Sequence, residues 1–188
     1  MTIRQAILGL LFQQPQTGYD LKKTISSSSI LHWSGNNNQI YTTLIQLKSE
    51  GCVESDISEP GGYPARKVYR LTSSGKAELL NWLSTPPALP EMKNHFLIQF
   101  LFADTLPAGK LAEILDAYAE ELSQAIAFEQ EQSRRSLSET NLTPGQRALQ
   151  QLAAQNLADH YTCELNWVAK VRKGLNASPL TTLLKEEE

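Results

Sequence analysis

The chain has 188 residues, 41% of them hydrophobic and 20% charged, a globular balance that excludes a disordered chain. No apolar run approaches the ~20 residues of a membrane span, and the amino terminus lacks the basic start, apolar centre and cleavage site of a signal peptide, so a cytoplasmic protein is expected. The net charge of −3 is unevenly spread, with eight Lys and Arg against six Asp and Glu in residues 1–84 and nine against fourteen in residues 85–188, so the first part is the one suited to a polyanion.

Thr2-Ile3-Arg4-Gln5 forms a capping box that opens a first helix, with Ile3, Ile7, Leu10 and Leu11 on its buried face. Gln13 to Gln16, with Pro15, is expected as a turn. Thr17 caps a second helix, and Asp20 favours its positive end. Tyr19, Leu21 and Ile25 are its apolar positions, while Lys22 and Lys23 point outward. Ser26 to Ser29 is a connector leading to His32, a bystander, and Trp33, expected in the core.

Residues 36–50 form the next helix. Ile40, Leu44 and Leu47 sit at i, i+4 and i+7 and face a core. The opposite face carries Asn38, Thr42 and Ser49, flanked by Gln39, Ile45 and Gln46. Surface helices ordinarily prefer Glu, Lys and Arg. Small amides and hydroxyls can donate and accept, as reading base edges in the major groove requires. Gly51 ends the helix as a C′ glycine would. Val53, Ser55 and Ile57 then alternate along one strand, Gly61-Gly62 turns the chain, and Lys67, Tyr69 and Leu71 share one face of the return strand. Arg66, Lys67 and Arg70 put positive charge where a wing would meet phosphates. A polar-faced helix followed by a basic hairpin is the order of a winged helix-turn-helix domain.

The stretch Gln39-Ile40-Tyr41, Leu44, Leu47, then Gly51, Val53-Glu54, then Gly62, Pro64, Arg66-Lys67, Tyr69, Leu71-Thr72 and Gly75 resembles the PadR family of bacterial transcription regulators. Thr17-Gly18-Tyr19-Asp20-Leu21 is similar to that family too. Ile25, Ser27, Trp33 and the helical second half look most like its virulence-activator branch. Thr42 stands where many members have proline. The resemblance implies a homodimer on an inverted-repeat DNA site, with Tyr41 against the backbone. Candidate DNA-binding residues are Asn37, Asn38, Gln39, Tyr41, Thr42, Gln46, Arg66 and Lys67.

Thr72 caps a fourth helix, with Leu79, Leu80 and Leu83 as its apolar stripe beside Trp82. Three prolines between Ser84 and Pro90 make a stiff connector. The expected organisation is a DNA-binding domain over 1–84, a linker over 85–90, a helical dimerisation domain over 91–178 and a tail over 179–188. In the helical part, Glu91 to Asp104 carries Phe96, Leu97, Phe100 and Leu101 on one side. Pro107 is placed in the first turn of a long helix to about Ser136. Leu111, Leu115, Tyr118, Leu122 and Ile126 repeat like a coiled-coil seam. Thr143-Pro144 starts a last helix whose apolar side is Leu149, Leu152, Leu157, Tyr161, Trp167, Val168, Val171 and Leu175. Helices of roughly 30 residues run about 45 Å. A seam that long, together with the family resemblance, points to a second copy of the chain as the partner, the other option being a hairpin that buries itself.

The fold class expected is therefore mainly α with a small β-hairpin: a winged helix-turn-helix domain and an all-α, coiled-coil-like dimerisation domain. No glycine-rich phosphate loop, nucleophile elbow or zinc-protease motif occurs, so no enzyme activity and no cofactor are expected. His160, Cys163 and Glu164 share a helix face without a second ligand group, and no metal is expected. Cys52 and Cys163 are expected as reduced structural thiols. Tyr118, Tyr161 and Trp167 are candidates for a small aromatic effector site or for interface core. A winged-helix adaptor for another protein, or a repressor released by an aromatic effector, are the alternatives.

Overall fold

The structure, a computed structural model, describes residues 3–31, 38–58, 66–89, 94–107, 109–138 and 142–177. Thr2, His32, Trp33, Asn36, Asn37, Gly61 and Gly62 lie outside these residues, as do Pro90 to Lys93 and the carboxy-terminal tail. The chain forms two compact units, Met1–Pro90 and Glu91–Glu188.

The first unit runs α1 (Ile3–Gln13), β1 (Gln16–Thr17), α2 (Gly18–Ser27), α3 (Asn38–Ser49), β2 (Val53–Ser58), β3 (Arg66–Leu71) and α4 (Ser73–Leu83). Helix starts follow the local chemistry. The Thr17 side chain accepts from the Asp20 backbone N–H at 3.1 Å, and the Asp20 carboxylate accepts from the Thr17 N–H and hydroxyl, a complete capping box. At the far end of α3, Gly51 adopts φ +71°. Its N–H donates to Lys48 and the Cys52 N–H to Leu47, the paired bonds of a Schellman stop. Thr72 caps α4 by accepting from the Gly75 N–H.

The three strands form an antiparallel sheet in the order β1-β3-β2. Val53, Ser55 and Ile57 stand opposite Leu71, Tyr69 and Lys67, so all six share one face, the alternation the sequence predicts. The turn expected at Gln13 to Gln16 is shorter than predicted. Gln16 and Thr17 pair with Tyr69 and Val68 as a third strand, a segment too short to show a period. The core gathers Ile7, Leu8, Leu21, Leu44, Leu47 and Val53, each 2% exposed or less. Ile40, Leu44 and Leu47 are thus the buried stripe of α3, as predicted. Tyr19 is not a core residue: it is 69% exposed, because Leu21 and Ile25 already face inward on a helix of ten residues. Leu80 and Leu83 also face outward, and only Leu79 of the α4 stripe is buried.

The motif glycine of α4 has a packing reason. A Cβ on Gly75 would lie 2.1 Å from the Cys52 carbonyl oxygen. The same corner is tied by the Thr72 N–H to that oxygen and by the Thr72 hydroxyl to the Gly51 carbonyl at 2.7 Å. The stop of α3 and the start of α4 are therefore joined by the backbone and side chain of Thr72.

The second unit holds α5 (His95–Leu101), a 3-10 turn at Ala103–Thr105, α6 (Lys110–Ser138) and α7 (Pro144–Ala177). Asn94 caps α5 by accepting from Phe96 and Leu97. The single long helix expected over Glu91 to Asp104 stops early. Leu97, Ile98, Leu101 and Phe102 are exposed, and Phe96 turns inward. Pro107 lies outside α6, which begins after Gly109 at φ +82°. Thr143 caps α7 through the Gln146 N–H, and Gln146 answers to the Thr143 N–H, with Pro144 at the first helical position.

Along the α6 seam, Leu111, Leu115 and Leu122 are buried in one cluster with Val168, and Leu165, Val171 and Leu175 of α7 pack on it. The α7 helix thus covers the seam from Leu111 to Leu122, while Ile126 is half-buried outside that cluster. Leu149 and Leu152 are about 70% exposed, and Ala154 and Ala158 take the buried positions of that stretch. A helix lying close against α6 there has room for alanine and not for leucine. Of the cysteines, Cys52 is buried, but Cys163 is exposed and is no core thiol. Among the described residues no helix is long and apolar enough to cross a membrane.

Candidate nucleic-acid interface

The exposed side of α3 presents Asn38, Gln39, Tyr41, Thr42, Ile45 and Gln46, because the core claims Ile40, Thr43, Leu44 and Leu47. Some of these polar groups are already engaged. The Thr42 hydroxyl donates to the Asn38 carbonyl at 2.9 Å, which leaves its oxygen to accept. The Gln46 amide donates to Glu50 at 2.9 Å, which leaves its carbonyl to accept.

Charge lies beside this face on β3. Arg66 and Lys67 are exposed, and among the described residues neither has a salt bridge. Arg70, the third cation of the strand, is drawn to Asp56 at 3.3 Å across the sheet. The wing charge therefore rests on Arg66 and Lys67. The Lys67 ammonium lies 5.5 Å from the centre of the Tyr69 ring, a spacing suited to cation–π attraction.

The start of α2, the first turns of α3 and the front of β3 enclose a cavity of about 640 Å³, lined by Gly18, Tyr19, Tyr41, Arg66, Lys67 and Tyr69 together with Thr17 and Asp20. Sequence reasoning found three of these residues and missed the cavity. Tyr19 was assigned inward, and β1, which brings the start of α2 against β3, carried no periodic signal. Burial pushes the Tyr69 phenol above its usual pKa, and the neighbouring Tyr41 adds to the rise, so Tyr69 stays a hydrogen-bond donor.

Behind the interface, Arg4 of α1 holds the end of α3. It makes two 2.6 Å bonds to Glu78 of α4 and a 2.6 Å bridge to Glu50. The Cys52 thiol donates to Glu78 at 3.2 Å. Burial raises the Cys52 pKa, so this thiol stays protonated.

In the second unit, Tyr118 stacks on Phe96 with centroids 4.0 Å apart, and Trp167 meets Phe96 and Phe100 edge-on. Tyr118 and Asn94 donate to Glu164, so Glu164 serves a polar network within the unit. Tyr161 packs on the same cluster. A cavity of about 240 Å³ lies alongside, lined by Phe96, Phe100, Phe102, Leu106 and Gln99 among others. Tyr118, Tyr161 and Trp167 are not part of its lining. Among the described residues no group of His, Cys, Asp and Glu is placed to hold a metal ion.

Residues 7–81 match the transcriptional regulator PadR-like family, a stretch that runs from α1 to α4 and contains α3 and the wing. Over that stretch the chain is similar to the PadR-like family. The negative transcriptional regulator PadR of Bacillus subtilis is 32% identical over 113 residues, 60% of this chain and 62% of that one. A probable transcriptional regulator of Mycobacterium tuberculosis is 34% identical over 86 residues, 46% of each chain. The matches thus span less than two thirds of these curated relatives. The likeness of fold extends further than the likeness of sequence. The crystal structure of Bacillus subtilis PadR in complex with operator DNA superposes with a TM-score of 0.78 at 23% identity, over 89% of this chain and 96% of that one. The same protein in complex with p-coumaric acid gives 0.72 at 22% identity, over 90% and 92%. The Vibrio cholerae virulence activator AphA gives 0.70 at 24% identity, over 94% and 99%. Both curated relatives are named as transcriptional regulators.

Proposed function

We propose that this PadR-like chain is a cytoplasmic transcriptional regulator that binds double-stranded DNA as a homodimer at an inverted repeat. The observation that carries it is the α3 face of amides and hydroxyls, set beside the cationic front of β3 within the family-matched unit. On this reading α3 enters the major groove. Asn37, Asn38, Gln39, Thr42 and Gln46 meet bases or adjacent phosphates, while Tyr41, Arg66 and Lys67 hold the backbone. With the α6 seam covered by α7, the dimer contact falls to other surfaces of the chain. Exposed Leu149 and Leu152 on α7 are apolar groups available for it.

Selection of DNA sequences on the purified full chain, repeated at two salt concentrations, tests the proposal. It should return an inverted repeat whose affinity falls with salt by about 0.9 log units per phosphate neutralised for each tenfold rise. Arg66→Ala with Lys67→Ala should weaken all sequences alike, whereas Gln39→Ala or Thr42→Ala should relax individual base pairs by ~1–3 kcal/mol. Equal losses on specific and random DNA for every variant would overturn the roles. Salt-insensitive capture of a protein partner, with no DNA recovered, would favour an adaptor.

An effector-released repressor is a second reading, favoured by the 240 Å³ aromatic-lined cavity of the second unit. Quenching of Trp167 emission by hydroxycinnamic acids, with loss of the selected DNA, would support it. No change in either would remove it.

A further inference from the structure

Gly18 stands out among the glycines of the first unit. Its backbone is not in the left-handed region, so conformation does not call for glycine there. What sets it apart is a close approach. A Cβ on Gly18 would lie 2.7 Å from Tyr41 Cε1 and 3.4 Å from Cδ1. The Cε1 corner of the Tyr41 ring therefore rests against the start of α2, in the place a side chain at residue 18 would take, and a larger residue there would displace the ring. Tyr41 is 43% exposed, so this is no core contact. The packing instead fixes where an exposed phenol stands, at the wall of the 640 Å³ cavity that Arg66, Lys67, Tyr19 and Tyr69 complete.

The chemistry of that cavity selects an anion without protons. Arg66 and Lys67 donate and carry positive charge, and the phenols are donors. The one carboxylate in the lining, Asp20, accepts from the Thr17 N–H and hydroxyl through Oδ2 and keeps its charge, so Arg66 and Lys67 leave the lining with a net charge of one positive unit. The cavity draws Tyr41 from α3, and at about 640 Å³ it is far roomier than a simple ion needs.

We propose that this cavity is a preformed seat for a phosphodiester of the DNA backbone, in which Gly18 is the positioning residue that sets Tyr41 among Tyr19, Arg66, Lys67 and Tyr69. The proposal rests on the regulator reading and adds to it Gly18, Tyr19 and Tyr69. Tyr41 then sets the register of α3 in the groove, since a ring held on the first turn of α2 locks the recognition helix to one phosphate. A seat fixed before DNA arrives avoids ordering the side chain on binding.

The test is a double-mutant cycle on the full chain, read as affinity for the selected operator against salt. Tyr41→Phe keeps the ring and removes the donor. It should lower the affinity without changing the melting temperature or the salt slope, because the phenol is uncharged. Gly18→Ala displaces the ring and should weaken binding toward the level of Tyr41→Ala. In the Tyr41→Ala background Gly18→Ala should do nothing more, because no ring remains to displace. Removal of both cations, Arg66→Ala with Lys67→Ala, should reduce the slope by about 0.9 per phosphate lost, or roughly 1.8 for a dimer with two such seats. Tyr69→Phe extends the test to the buried phenol and, as an isosteric change, keeps the fold. Additive losses for Gly18→Ala and Tyr41→Ala would overturn the positioning role. Unchanged affinity for Tyr41→Phe and Tyr69→Phe would overturn the seat while leaving the regulator reading intact. Failure of the unmutated chain to bind any selected DNA would instead overturn the regulator reading itself.

Discussion

Replacing Arg4 by methionine keeps an apolar stem of similar length and removes all five guanidinium donors. In the native chain two of these bonds, each 2.6 Å, join Arg4 to Glu78, and a third reaches Glu50. The Arg4 side chain is 21% exposed and that of Glu78 32%. Hydrogen bonds to charged groups contribute ~1.5–3 kcal/mol when buried, and exposed ion pairs ~0.2–1 kcal/mol. This pair lies between those limits, so the Glu78 contact should contribute about 1–2 kcal/mol. For a domain of 60–100 residues that corresponds to a fall in Tm of roughly 5–12 °C. The pH dependence carries a defined sign. The Arg4 hydrogen bonds hold the Glu78 carboxyl below the usual carboxylate range. Glu50 is lowered as well, first by its bond from Gln46 and then by Arg4. A carboxylate with a depressed folded pKa stabilises fully above its unfolded value, about 4.3, and loses that contribution as pH falls through the folded value. The gap between the parent chain and Arg4→Met should therefore be full near neutral pH and close as the pH falls below about 4. Urea melts of both proteins across this range, followed by circular dichroism, measure it. Glu78→Gln should reproduce the loss at neutral pH, and the two changes together should cost less than their sum. A gap that stays constant with pH, or full additivity, would refute the reasoning.

Gly75→Ala should be severe, because its Cβ would meet the Cys52 carbonyl oxygen, a backbone atom that cannot swing aside. We expect loss of more than ~3 kcal/mol or failure to accumulate as folded protein, and near-wild-type melting would refute the contact. The two thiols should label at different rates. Cys163 is exposed and should react with a thiol reagent in the native protein, whereas buried Cys52, its pKa raised by burial, should react only on unfolding. Equal rates for the two would contradict the placement of Cys52.

The amino-acid sequence by itself determined the parts of this protein that rest on neighbours along the chain. Thr17, Thr72 and Thr143 announce helix starts because a hydroxyl can reach an N–H only two or three residues ahead. Gly51 announces the stop of α3 because a left-handed residue has to follow it. Ile40, Leu44 and Leu47 name the buried face of α3, since 3.6-residue periodicity leaves one stripe to share. The face register of β2 and β3 follows from alternation in the same way.

Tertiary structure decided what periodicity cannot express, namely which apolar face finds a partner. Leu80, Leu83, Leu149 and Leu152 belong to helical stripes as regular as that of α3, yet they are exposed where Ile40, Leu44 and Leu47 are buried. Leu111, Leu115 and Leu122 of the equally regular α6 seam are buried with Val168 of α7, a pairing that spacing alone leaves open. Two residues of β1 bring the start of α2 to the edge of β3, and that meeting creates the cavity that α3 and the wing share. Gly18 and Gly75 look alike in sequence and unlike the turn glycines only in space: each lacks a Cβ because another part of the chain, the Tyr41 ring or the Cys52 carbonyl, occupies its place. A sequence records what a residue is and how it is spaced from its neighbours. The close approach of segments distant along the chain belongs to packing, and only the folded coordinates contain it.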